Sequence, residues 1–310
     1  MKTERRLYGT ALTLAGAALW GLNAVVSKYL MGRGIDTMWM VNFRMITAGI
    51  VLLIFALLKD RRGTFGIWKD RASVIRLLVI AVFAFGICQP TYYLSIDYSN
   101  AGIASAIQQT APVFVLIYVM ISEKRKPSPA ELSALALVVA GSFLIATHGD
   151  FHALAIHPLA LLFGLISALM CALYITLPSP LIKRYGTFET VGWGLFLGGC
   201  FLIPFCRLWD FPSQWDRTLI LGMIFIVLPG AAFAFALYLY GTSIVGPVRG
   251  GIYNLFEPVT ALAVSALWLG QGYHAAELLG TAAILAGIAI MTVSKNPGGG
   301  SKTGGKEKTN

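Results

Sequence analysis

The 310-residue sequence is 57% hydrophobic and only 12% charged, with a mean hydropathy of +0.73. A water-soluble domain of this length needs more charge to cover its surface, so the composition points to a chain dissolved in lipid. The formal charge of +10 does not mark a nucleic-acid face, because the basic residues sit in short loops between apolar runs.

The first apolar run goes from about Leu7 to Leu30, behind Lys2, Arg5 and Arg6. It is longer than the ~7–15-residue apolar centre of a secretory signal, so it reads as a retained helix. Nine further runs follow at about 38–58, 74–96, 100–121, 129–147, 158–177, 188–208, 217–241, 246–270 and 275–293. A crossing helix needs about 20 apolar residues, and each run offers roughly that. The expectation is an all-α membrane protein with ten transmembrane helices, since a backbone in hydrocarbon must satisfy its own hydrogen bonds. Cys88, Cys171, Cys200 and Cys206 all lie in apolar runs without a CxxC pair, which implies neither disulfides nor a metal site.

Lys and Arg orient these runs. Eighteen of the 24 basic residues fall on one side of the predicted alternation: Lys2 to Arg6, Lys59 to Arg76, Lys124 to Lys126, Lys183 and Arg184, and the tail lysines. Lys28, Arg33, Arg207 and Arg217 fall on the other, and Arg44 and Arg249 lie within or at the edge of runs. Positive charge in short loops stays inside, so both termini are expected in the cytoplasm. Residues 295–310, rich in Gly and Lys, read as a disordered tail.

A shift of 146 residues aligns Pro112–Gly141 with Pro258–Gly287 without a gap, and nine of the thirty positions match, among them Pro112/Pro258, Glu131/Glu277 and Gly141/Gly287. Residues 1–148 and 149–294 therefore read as two five-helix units. Five is odd, so the second unit enters the membrane inverted relative to the first, a plan common in secondary transporters with a midplane site between the repeats.

Certain segments also carry a family resemblance. Ala18-Leu19-Trp20-Gly21-Leu22-Asn23, Tyr98-Ser99-Asn100-Ala101-Gly102, Ala111-Pro112-Val113-Phe114 and Ser122-Glu123 with its basic loop are similar to the EamA branch of the drug/metabolite transporter superfamily. Phe256-Glu257-Pro258-Val259 and Ala286-Gly287 repeat the pattern in the second half, so the resemblance spans residues ~8–294. It implies ten spans, cytoplasmic termini in a bacterial plasma membrane, and export or uptake of small solutes. The family often has Gly-Glu after the ninth span, whereas this chain has Gly270-Gln271.

Charge at bilayer depth is costly and needs a reason. Of the fourteen acids only Glu257 sits well inside a run, immediately before Pro258. A desolvated carboxyl group favours its neutral form, which makes Glu257 a candidate for proton coupling or for a substrate cation. A structural ion pair or packing role weighs equally. Tyr253 and Asn254 lie one turn earlier; Ser105, Gln108 and Gln109 approach Pro112 in the repeat mate. Gln89, Tyr92 and Tyr93 share one helix face, as do Trp20, Asn23 and Ser27, and Tyr174 and Tyr238 could add aromatic walls. Taken together these residues predict a central cavity; taken singly, each is as well explained as interhelical glue.

Arg44 is expected to snorkel to the interface or pair with Asp36, Lys28 to snorkel, and Arg249 to act as a topology or gate residue. His148, His152, His157 and His274 fall in outer loops and match no zinc pattern. No Walker, HExxH or GxSxG motif occurs. The sequence thus predicts a transporter rather than an enzyme, without cofactor or metal, moving a small solute outward with proton coupling, as a monomer or homodimer. An uncoupled facilitator, an uptake permease, and less readily a membrane-embedded enzyme or scaffold, are the alternatives.

Overall fold

The computed structural model describes residues 2–98, 101–150, 157–206, 208–209, 216–269 and 274–294. Every regular element among them is helical. Apart from two short turns of helix at Arg61–Thr64 and Gly66–Lys69, in chain order they are α1 (Lys2–Gly32), α2 (Thr37–Lys59), α3 (Arg71–Asp97), α4 (Ala101–Gln108), α5 (Ala111–Glu123), α6 (Pro129–Thr147) and α7 (Pro158–Thr176). There follow α8 (Pro178–Tyr185), α9 (Thr187–Cys206), α10 (Arg217–Val245), α11 (Pro247–Asn254), α12 (Phe256–Leu269) and α13 (Ala275–Val293).

Among the described residues, eight helical segments are long and apolar enough to cross a bilayer: α1, α2, α3, α6, α7 with α8, α9, α10 and α13. The apolar runs expected at about 100–121 and 246–270 each fold in two pieces instead, α4 with α5 and α11 with α12. Proline is the physical reason. Pro112 and Pro258 have no N–H to give the carbonyls of Gln108 and Asn254, four residues earlier. The chain therefore breaks at Gln109–Thr110 and at Leu255, positions that coincide under the 146-residue shift. The mates α3 and α10 likewise both contain a wide π-helical stretch, Ile80–Ile87 and Leu228–Phe233, a local widening often found at functional sites.

Glycines set the helix crossings, since dispersion rather than hydrophobic exclusion holds helices together in lipid. A Cβ on Gly141 would stand 2.5 Å from the Gly280 carbonyl oxygen, and one on Gly280 would stand 2.5 Å from that of Gly141. Gly287 likewise abuts the carbonyl of Ala134 and the side chain of Val138, while Gly141 also meets Ile284. Ascending α6 means descending α13, so the two are antiparallel. The pairs 141–280 and 287–134 exchange under the 146-residue shift, as do 141–284 and 287–138. Antiparallel crossings also join α2 to α9, with Ile46 on Gly199 and Leu53 on Gly192, and α1 to α10, with Gly9 on Ile244 and Gly16 on Tyr238.

Contacts between the connecting segments fall into two sets. In one, Arg33 donates to both carboxylate oxygens of Asp216 (3.0 and 2.6 Å), and Trp39 Nε1 donates to the Leu208 carbonyl at 3.1 Å. The Arg33 guanidinium holds the Asp216 carboxyl below the usual aspartate range. His148 Nδ1 meets Glu277 Oε1 at 2.7 Å in the same set. In the other set Arg184 reaches Asp70 at 2.7 Å and Tyr185 meets Ser73 at 3.0 Å. There too, Arg6 donates to the carbonyls of Thr292 (3.0 Å) and Ser294 (3.2 Å), and Arg249 Nη2 to that of Ser294 (2.9 Å). The start of α1 and the end of α13 thus meet on one face.

The matched pair Glu131 and Glu277 stabilises helix starts. Ser128 N donates to Glu131 Oε2 at 2.8 Å while Glu131 N donates to Ser128 Oγ at 3.2 Å, a reciprocal cap. His274 N donates to Glu277 Oε2 at 2.8 Å at the equivalent place in α13.

The α6–α13 crossing leaves no room for a side chain. Gly141→Val should therefore destabilise the protein by about 1–3 kcal/mol through overpacking, read as a lowered Tm of the detergent-solubilised protein. An unchanged Tm would deny the close crossing.

Candidate functional site

Glu257 sits in the first turn of α12, just past the break, half-buried. Its backbone carbonyl lies where α1 comes closest: a Cβ on Gly21 would stand 2.5 Å from it. Thr260 Oγ1 donates to that carbonyl at 2.9 Å. The carboxyl group has Arg44 of α2, Tyr92 of α3, Cys171 and Tyr174 of α7 and Tyr238 of α10 within electrostatic reach. Groups from both halves of the chain therefore converge on one interior position.

Arg44 does not pair with Asp36. It is half-buried with Nε shut off from solvent and without a hydrogen-bond partner, and the charged and phenolic groups it faces are Tyr93 and Glu257. Asp36 instead accepts from Trp39 N at 2.7 Å and caps α2. Ile46, Gly49 and Leu53 are used against α9, and Arg44 lies on the other side of α2. Arg249 is 8% exposed and donates through Nε to the Met291 carbonyl at 3.2 Å, so it holds the end of α13. Lys28 is exposed on α1, as expected.

The other predicted residues divide. Trp20 packs its ring 4.8 Å from Phe235, 4.7 Å from Tyr238 and 6.0 Å from Tyr174; Phe85 stacks at 6.3 Å from Tyr174. These rings form one aromatic block beside Glu257. Tyr238 is fully buried, its hydroxyl donating to the Gly250 carbonyl at 2.9 Å. Tyr253 is fully buried as well, bonded to Thr292 Oγ1 at 3.1 Å. Tyr174 reaches Asn254 Oδ1 across 3.4 Å, linking α7 to the broken end of α11.

Gln108 donates to Ser167 Oγ at 2.6 Å, and Ser167 donates to the Cys88 carbonyl at 2.9 Å, so α4, α7 and α3 are tied together. Gln109 and Asn23 are buried, Asn23 against Gly230 in the π stretch of α10. Tyr92 and Tyr93 are partly buried with rings 5.5 Å apart, Tyr92 lying against Ser105, and Gln89 is partly buried. The sequence reading missed Phe85, Phe235 and Ser167, which its polar-residue criterion passes over.

Among the described residues no group of three His, Cys, Asp or Glu side chains is placed to hold a metal. His148 lies 5.3 Å from His274, ring to ring, and His157 caps α7, accepting from Leu159 N at 3.3 Å. His152, Arg207 and Gly270-Gln271 lie outside the described residues. Two clefts lie apart from Glu257: about 490 Å³ between α1, α10 and α12, lined by Leu22, Tyr29, Phe225 and Trp268, and about 430 Å³ beside Lys59 and Glu189.

Among the described residues, eight long apolar helices and two helices broken at matching prolines are the architecture of a multi-pass integral membrane protein. The chain belongs to the EamA-like transporter family, whose profile matches it twice, at residues 7–147 and 158–293. It is 31% identical over 286 residues to the uncharacterized inner membrane transporter YicL of Salmonella typhimurium, covering 92% of this chain and 95% of that one. An uncharacterized transporter of Archaeoglobus fulgidus is 28% identical over 284 residues, covering 91% and 96%. A crystal structure of a protein at 16% identity superposes with a TM-score of 0.74 over 91% of this chain and 95% of its own, a likeness of fold alone.

The aromatic block is structural at Trp20 and peripheral at the Tyr174 hydroxyl. Trp20→Ala should cost about 3–5 kcal/mol of stability. Tyr174→Phe, which removes one long hydrogen bond, should cost about 1 kcal/mol or less. Thermal melts of both variants check the ordering; equal effects would mean that the ring block does not bear on stability.

Proposed function

We propose that this chain is a secondary active transporter that moves a small organic solute by alternating access between two inverted five-helix halves. The observation that carries this is the pair of broken helices, interrupted at matching positions beside Asn254 and Glu257. Discontinuous helices in hydrocarbon survive where they line a site, because their freed carbonyls need partners. The antiparallel α6–α13 and α2–α9 crossings, between repeat mates, support inversion. Counting each broken pair as one crossing gives ten. That even number agrees with the meeting of Arg6 and Ser294 on one face, which the distribution of Lys and Arg makes the cytoplasmic one.

Glu257 is the proposed coupling group, alternately protonated and ionised as the site opens to each side. Trp20, Asn23, Gln89, Tyr92, Tyr93, Gln108, Gln109, Tyr174, Tyr238, Tyr253 and Asn254 are proposed to shape the site. Those fully buried or bonded to other helices, Tyr238 and Tyr253 above all, hold its walls rather than touch solute. Movement is proposed to be outward, driven by the inward proton gradient. An uncoupled facilitator is the second reading, favoured by the absence, among the described residues, of another acid around Glu257.

Proteoliposomes loaded with a metabolite mixture test this. Wild-type protein should move solute against its gradient when a pH gradient is imposed. Glu257→Gln should abolish pH-driven accumulation while retaining solute exchange. Accumulation that persists in the variant with the same pH dependence would leave Glu257 without a coupling role.

A further inference from the structure

Two opposite charges face each other inside this protein without pairing. Among the described residues neither Arg44 nor Glu257 makes a side-chain hydrogen bond, and no carboxylate lies within 4.0 Å of the Arg44 guanidinium. Their situations are not equivalent. A carboxyl group out of water can discard its charge by taking a proton. A guanidinium cannot, because it stays protonated under all physiological conditions, and the Nε donor of Arg44 is shut off from solvent without a partner. Burying such a group unpaired is among the costliest arrangements a chain can carry.

The neighbours of Arg44 leave its need unmet. Tyr93 offers a phenol, Asp36 is engaged as the cap of α2, and the outer acid Asp216 is held by Arg33. Helix α2 is locked against α9 by the Gly49, Gly192 and Gly199 contacts, so Arg44 cannot turn to the lipid face without unpacking that crossing. Glu257, the acid Arg44 interacts with, lies within electrostatic reach of Tyr174 and Tyr238, whose rings pack on Trp20 in one aromatic block. A fixed planar cation with free donors next to aromatic rings matches a carboxylate on an apolar body, since the guanidinium fork pairs with both carboxylate oxygens.

We propose that Arg44 binds an anionic group of the solute, so that the site takes an amphipathic organic carboxylate. This rests on the transporter reading for the location of the site, but it makes a separate claim about the ligand. Glu257 supplies the opposite charge when the site is empty and is not itself the anchor for the solute. Arg44 also explains why an acid can sit opposite: the pair balances charge across the interior without collapsing into a salt bridge that would fill the site.

The test uses the full-length protein in detergent and follows Tm with sodium acetate, benzoate and 3-phenylpropanoate, each against its amide at matched ionic strength. A ligand that binds the folded state raises Tm. At concentrations well above Kd the carboxylates with a ring should raise Tm by about 3 °C or more, and the amides should not. Arg44→Gln should abolish the difference, and Arg44→Lys should weaken benzoate binding about tenfold through loss of the bidentate fork. Wild-type protein that responds equally to each acid and its amide overturns the proposal, whatever the variants do. So does an Arg44→Gln protein that keeps the carboxylate preference. Carboxylate binding without flux in proteoliposomes would sink the transport reading and leave the anion site standing; flux of uncharged solutes without carboxylate preference would do the reverse.

Discussion

Hydrocarbon offers the backbone no hydrogen-bonding partner, and everything in this protein is arranged around that fact. Helices are the solution for most of the chain, because each closes its own ladder of N–H and C=O groups. Side-chain packing then has little hydrophobic drive of its own, so the helices must come close enough for dispersion forces to hold them. The reciprocal seating of Gly141 and Gly280 on each other's carbonyls, and of Gly199 on Ile46, is how that closeness is reached. The same constraint gives the broken helices their significance. Carbonyls released at Gln108 and Asn254 by Pro112 and Pro258 are affordable only where other groups reach them.

Around those breaks the chain concentrates the chemistry that lipid would otherwise forbid. Glu257, Arg44 and the phenols of Tyr92, Tyr93 and Tyr174 share one interior region, drawn from α2, α3, α7 and α12. The walls are made of tightly bonded residues. Tyr238 is fixed to Gly250, Tyr253 to Thr292, and Gln108 to Ser167. A solute could meet a rigid aromatic block on one side and unsatisfied charge on another.

Much of this was readable in the sequence, and what was not has a physical explanation. Helical membrane character follows from the spacing of apolar runs, and the repeat from a single ungapped shift that carries Pro112 onto Pro258. The matched Glu131 and Glu277 were good markers of the repeat, although what they do is start helices. Hydropathy counted ten continuous runs where two are interrupted, because a break of one or two residues leaves mean apolarity unchanged. The polar stripes picked out Tyr174, Asn254 and Glu257, which the fold brings near one another. They could not separate lining residues from glue, since both require the same side chains. For Arg44 the sequence offered an interfacial role or a pairing with Asp36, and only contact shows that Asp36 is engaged with Trp39 N instead. Phe85 and Phe235 carry no signal at all in a chain this apolar, and only contact reveals them.

The hold of Arg6 and Arg249 on the last carbonyls of α13 has a consequence for the molecule as a whole. The partial negative charge at that helix end is met by two fixed cations, one of them from the first helix. The polypeptide is thereby closed into a ring whose seam is a pair of guanidinium groups.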